Sequence, residues 1–228
     1  MATYSFNYLP MLNEKGHIDT KQAELPAHLD MVEKIKESKE PVTLVMTGPL
    51  TDLARALDTD PDIEKNIDML YWMGGSLDGH GNVAIVNADG CQEWNAFWDP
   101  YAIKRVFDSN IKIQMVGLES TEELPLNDEL RQHWASLRRY PAIDLVGQGY
   151  SMIVSIPSAE LYLWDVLTTI SALYPEVVET EQAHARVITD GLSAGSFVRD
   201  PNGREVTLVT KANKQLFFDK MDEILKRK

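Results

Sequence analysis

Three short apolar runs, VTLVM at 42–46, IDMLYWM at 67–73 and IKIQMVGL at 111–118, constrain this chain more than any other feature. Each is too short for an ordinary helix and too continuously apolar to alternate, the mark of a strand covered on both faces. Between the runs the period changes to that of a helix. AHLDMVEKIKESKE sets Leu29, Val32 and Ile35 on one stripe of a charged segment, and PLTDLARAL repeats the spacing through Leu50, Leu53, Ala54 and Leu57. DPYAIKRVFDSN opens with Asp99 as N-cap and Pro100 at the first helical position. Strand, helix, strand, helix, strand predicts an α/β fold, an open and mostly parallel sheet flanked by helices. In the second half NDELRQHWASLRR, AIDLVGQGYSMIV and WDVLTTISALYP each read as a helix. After Pro175 come EQAHARVIT, AGSFVRD and GREVTLVT, with a turn at Asp200-Pro201-Asn202-Gly203. They predict a small antiparallel β-unit before a last helix, NKQLFFDKMDEILKRK. Residues 1–26 lack periodicity and read as a loop carrying Tyr4, Phe6 and Tyr8. No repeat or linker interrupts the chain, which predicts a single domain over residues 1–228.

Charge and cysteine content narrow the function. Lys and Arg number 22 against 35 Asp and Glu, a net charge of −13. Neutralising phosphates needs clustered cations, so a nucleic-acid partner is disfavoured. The single cysteine, Cys91, forms no internal disulfide and fits a reducing compartment. No run approaches the ~18 apolar residues of a membrane span. The opening MATYSFNYLPMLNEKG lacks the basic start and apolar stretch of a signal peptide. A cytoplasmic soluble protein with no membrane partner is expected.

Open α/β sheets bind ligands beyond the carboxyl ends of their strands. That singles out residues 47–52 after the first run, Met73 to Gly75 with the loop through Gly81-Asn82, residues 89–95, and residues 163–166 at a helix start. Each has an ordinary reading too: Gly48 and Pro49 shape a turn, Asp165 is an N-cap, Trp164 packs. Glu93, Trp94 and Asn95 say more. In an extended loop Glu93 and Asn95 face the same side. A carboxylate accepts and an amide both donates and accepts, a clamp suited to vicinal hydroxyls such as those of a sugar. His17, His28, His80, His133 and His184 show no metal-binding spacing. His80, in SLDGHGN, reads as facing solvent, and Cys91 as packing.

TGPLTDLARAL, WMGG, GN, DGCQEWNAFWDP and YLWDVLT, in that order, resemble the inosine–uridine-preferring nucleoside hydrolases. EWN and WD are closest to the purine-preferring branch. The resemblance implies an open, mostly parallel α/β sheet with one calcium ion (Ca2+) at the strand ends. It implies Thr47, through its carbonyl, and Asp165 as metal ligands. Asn82, Glu93 and Asn95 match the ribose-hydroxyl binders, Met73 and Trp94 line the sugar pocket, and Trp164 stacks on the purine.

The family opens with a strand ending in a DxDxxxDD cluster, which supplies most metal ligands and the general base. This chain has no such cluster; Asp19, Glu24 and Asp30 have neither its spacing nor an apolar strand before them. The resemblance therefore implies an N-terminally incomplete member, lacking the first strand unit and the catalytic aspartate. Two readings follow. One is a purine nucleoside N-ribohydrolase, which when complete cleaves ribonucleosides to ribose and base. The other is an inactive remnant that binds nucleoside or ribose weakly. A homo-oligomer is expected, because losing a strand from inside a sheet leaves an open edge.

Overall fold

The computed structural model describes residues 21, 23–154 and 161–227. The opening aromatics and Asp19 lie outside the described residues. The chain divides into two compact units.

The larger unit, residues 26–124 and 162–221, holds a six-stranded sheet. In chain order the strands are β1 (Val42–Met46), β2 (Ile67–Met73), β3 (Ile113–Val116), β4 (Val178–Val187), β5 (Phe197–Arg199) and β6 (Arg204–Ala212). In space they run β1-β2-β3-β6-β4-β5. The first three junctions are parallel and the last two antiparallel. The antiparallel unit expected after Pro175 is present, and it continues the main sheet, because β6 pairs parallel with β3. The 200–203 turn closes with Gly203 N–H donating to the Asp200 carbonyl at 2.7 Å.

Helix α1 (Ala27–Glu37) buries Val32 and Ile35 and packs against α2 (Thr51–Thr59). Helix α2 contributes Leu53, Ala54 and Leu57 to the core, where they meet Leu70, Trp72 and Met115 of the strands. Burying each such side chain contributes roughly 1.5–3 kcal/mol. A short helix, α3 (Trp94–Trp98), leads into α4 (Pro100–Phe107). Asp99 caps α4 as expected: one oxygen accepts from Ala102 N–H at 3.0 Å, the other from the Thr51 hydroxyl at 2.6 Å.

The third apolar run ends as a strand at Val116, and Leu118 opens a helical turn, α5 (Leu118–Thr121). All four residues of β3 are buried. β1 departs from expectation. Its residues alternate between half-buried and exposed, and Val45 is 40% exposed. It is not covered on both faces, because it stands at the end of the sheet with one strand neighbour among the described residues.

The smaller unit carries α6 (Asp128–Ser136) and α7 (Pro141–Val154). Asn127 caps α6, accepting from Leu130 N–H at 2.9 Å. Trp134 stacks on Tyr150 with ring centroids 5.8 Å apart. The last helices of the chain are α8 (Trp164–Leu173) and α9 (Lys214–Leu225). Among the described residues no helix is long and apolar enough to cross a membrane.

Candidate functional site

The site is assembled at the carboxyl ends of β1 and β2. Met46 pairs with Trp72 in register, which puts Thr47 at the level of Met73. The turn after β1 is held by Trp72, whose indole N–H donates to the Gly48 carbonyl at 3.0 Å. β2 ends in Gly74-Gly75. Gly75 has φ +75°, and a Cβ there would lie 2.4 Å from Met115 Cε and 2.6 Å from the Phe197 ring, so only glycine turns the chain here.

The loop leaving Gly75 returns at Gly81. A Cβ on Gly81 would stand 2.2 Å from the Gly90 carbonyl oxygen. That close crossing lets Asn82 and Val83 N–H donate to the Gln92 carbonyl at 2.9 and 3.2 Å. Asn82 is thereby delivered to Glu93-Trp94-Asn95. Its Oδ1 accepts from Trp94 N–H at 3.1 Å, leaving its amide N–H groups as donors.

Glu93 does not lie in an extended loop. It is the N-cap of α3, with Asn95 already inside the helix. The expected same-side geometry of an extended strand is replaced by capping: backbone donors at a helix start draw in the carboxylate. Glu93 Oε1 accepts from Asn95 N–H at 3.0 Å; Oε2 accepts from Ala96 N–H at 3.1 Å and Gly75 N–H at 2.9 Å. Burial pushes the Glu93 carboxyl above the usual range, against the pull of those three N–H groups, and the charge of Asp165 adds to the rise. Asn95 Nδ2 donates to the Met73 carbonyl at 3.0 Å and contacts its sulfur at 3.2 Å, which leaves Asn95 Oδ1 as an acceptor. Trp94 sits half-buried against Phe97 and Trp98.

Asp165 is the second residue of α8, whose N-cap is Leu163, so it is not the cap. Its carboxyl is open to solvent on one side, while protein around the other side removes water and raises its pKa. The carboxylate has no hydrogen-bond or ion-pair partner among the described residues. Helix α8 packs on β1 and β2, within electrostatic reach of Glu93. Trp164 arrives beside Asp165, its ring 5.6 Å from Tyr162. Its indole N–H is buried with no hydrogen-bond partner among the described residues.

Met73, Asn82, Glu93, Trp94 and Asn95 thus form one hydrogen-bonded group, with Asp165 coupled to it by charge and Thr47 level with it by register. His80 is exposed and pairs with Glu122 at 2.9 Å. Cys91 is a half-buried free thiol. Sequence reasoning gave no role to Trp72, or to Gln92 within the 89–95 segment, and missed Glu119. Glu119 follows a strand end as the other site segments do, and the same rule would have found it.

The residues fit a calcium site poorly. Calcium takes ~6–8 oxygen ligands. Among the described residues no group of three or more His, Cys, Asp or Glu could hold an ion. The Thr47 carbonyl and Asp165 remain the two candidate donors, since Glu93 is committed to three backbone N–H groups.

The sequence profile described as "Inosine-uridine preferring nucleoside hydrolase" matches residues 8–219. The chain belongs to the inosine-uridine preferring nucleoside hydrolase family. A solved nucleoside hydrolase of that name from Bacillus anthracis is 42% identical, with a TM-score of 0.88, covering 96% of this chain and 71% of that one. The purine-preferring ribonucleoside hydrolase of Gardnerella vaginalis, at 23% identity and TM-score 0.74 over 91% of this chain and 69% of that one, shares the fold. Among curated nucleoside hydrolases, the pyrimidine-specific ribonucleoside hydrolase RihA of Enterobacter sp. (strain 638) is 31% identical over 86% of this chain and 64% of its own length. The RihA of Shewanella woodyi is 41% identical over 43% of this chain and 30% of its own length. The chain therefore spans less than two thirds of the length of these curated nucleoside hydrolases.

Proposed function

We propose that this protein takes purine ribonucleosides and acts as a nucleoside N-ribohydrolase, with the 228-residue chain by itself binding nucleoside at turnover close to background. The observation that carries the reading is the Met73–Asn82–Glu93–Asn95 network, which leaves an amide donor, an amide acceptor and a buried carboxylate at one strand end. That set suits adjacent ribose hydroxyls. In the reaction the C1′–N bond breaks, water gives its hydroxyl to C1′ and its proton to the departing base. Positive charge grows on the sugar ring as the bond breaks. A buried carboxylate near the ring stabilises that charge more strongly than it would in water. Thr47 and Asp165 are the proposed cation donors, and two donors are too few to activate a water. The low turnover of the chain alone follows from this.

The purine preference rests on Trp164, whose indole offers a broad stacking face. The named relatives divide on the base, with curated ones pyrimidine-specific and a more distant structure purine-preferring. A cytoplasmic homo-oligomer without nucleic-acid or membrane partners belongs to the same proposal.

Titrating inosine, guanosine, uridine and cytidine against the chain by calorimetry tests it. Purines are expected to bind about tenfold tighter, within the ~1–3 kcal/mol of a base–aromatic stack. Trp164→Ala should erase the difference. Preferential binding of uridine would refute the purine assignment, and no binding of any nucleoside would refute the whole reading.

A further inference from the structure

Glu119 is a half-buried carboxylate beside the Met73–Asn82–Glu93–Asn95 network. Glu119 lies in α5, just past the end of β3, and reaches across to the loop that leaves β2. Its Oε1 accepts from the Ser76 hydroxyl at 3.0 Å, from Leu77 N–H, and from Asp78 N–H at 3.2 Å. Its Oε2 is buried and has no hydrogen-bond partner among the described residues. Leaving a buried acceptor unused is costly, so the carboxylate is not there for stability alone. The chain also makes room for it: a Cβ on Gly117 would come within 2.3 Å of that same oxygen.

The peptide groups of Gly75 explain what this arrangement achieves. Gly75 N–H donates to Glu93 at 2.9 Å, and the Gly75 carbonyl accepts from Leu118 N–H at 3.2 Å. Gly75 is thus gripped between Glu93 and the helix that carries Glu119. The three donors that Glu119 collects follow Gly75 directly in the chain. The same loop begins after Met73 and ends at Asn82, so both flanks of the ligand network depend on it.

We propose that Glu119 is the positioning residue of this site, clamping residues 76–78 onto the end of β3 so that Gly75 N–H stays aimed at Glu93. It touches no substrate and acts through Gly75. The clamp itself is independent of the nucleoside reading; its effect on ligand affinity rests on that reading.

Glu119→Ala, Glu119→Gln and Glu119→Asp test it, with Glu33→Ala on the exposed face of α1 as a control. The first readout is amide hydrogen exchange by NMR at Gly75, Leu77 and Asp78. The second is inosine affinity. Glu119→Ala is expected to speed exchange at all three amides and weaken inosine about tenfold, while exchange in the core strands is unchanged. Glu119→Gln, which keeps an acceptor at Oε1, should restore affinity to within about threefold of wild type. Glu33→Ala should leave Gly75 exchange and affinity as they were. If Glu119→Ala does not fold, Glu119→Asp, one methylene short of the loop, is expected to show the same faster exchange and weaker binding. Unchanged Gly75 exchange overturns the proposal, and so does faster exchange with unchanged inosine affinity. A wild-type chain that binds no nucleoside overturns the functional reading instead, and Gly75 exchange then decides the clamp alone.

Discussion

β1 and β3 have sequences of the same texture, VTLVM and IQMV, and they end in different surroundings. β3 sits between β2 and β6, and each of its side chains is buried. β1 has β2 on one side only, and its side chains stay half-exposed or exposed. An apolar run therefore specifies what a strand can bury, and its neighbours decide what it does bury. β1 is also the strand that leads into Thr47, so a partly covered outer strand carries one of the proposed site residues.

Truncation should separate the two strands most widely. Met115→Ala in β3 is expected to cost ~2–5 kcal/mol, as buried large-to-small changes do, and Val45→Ala in β1 less than ~1 kcal/mol. Urea denaturation measures both, and equal losses would break the comparison. The next effect concerns association. An uncharged, half-covered edge strand is a template for pairing. Sedimentation velocity should show the wild-type chain self-associating as concentration rises, and Val45→Lys shifting it to monomer. A monodisperse wild-type monomer at high concentration would mean that the edge of β1 is protected.

Smaller effects should appear in the two carboxylates. Glu93 has three backbone donors, whereas Asp165 has no partner among the described residues and a carboxyl raised by burial. A raised folded-state value means that the folded chain keeps a proton the unfolded chain has released. Stability then falls as pH climbs from the ordinary aspartate range to the raised value, and is flat above it. Asp165→Asn removes that loss. Its melting temperature should exceed wild type at neutral pH and converge with it in acid, below the ordinary range. A constant gap across pH would assign the difference to something other than ionisation. Smallest of all should be the response to calcium. With two candidate donors, adding calcium below its dissociation constant should stabilise the chain by less than ~0.4 kcal/mol, and a chelator should change little. A large calcium-dependent rise in melting temperature would show that further ligands come from outside the described residues.

Much of this was legible in the residues. The three parallel strands announce themselves through apolar runs, and Asp99-Pro100 declares a helix start that the Asp99–Ala102 bond fulfils. The site segments could be found because ligands favour strand ends, whatever the ligand. Strand order was less accessible. Nothing local in REVTLVTKA says that it pairs parallel with β3, since that choice depends on where β4 and α5 leave room. Glu93 was expected in an extended loop and instead caps a helix, because that role depends on donors at Asn95, Ala96 and distant Gly75. The strand-end rule reaches Glu119 but not its partners, which lie some forty positions earlier and meet it only once β2 and β3 are paired.

The crossing at Gly81 has a consequence for how such a protein can be changed. Asn82 and Val83 are bonded to Gln92, and Asp89 to Leu192 and Ser193, so the stretch between is held at its base while its tip exposes Ile85 and Val86. Exchanging the exposed Ile85 and Val86 is expected to leave Asn82 and Glu93 in place, because neither takes part in the bonds at the base. A grafting position of this kind would stand beside the proposed ribose clamp, where a new loop would change the approach to Asn82 and Glu93 and leave their hydrogen bonds intact.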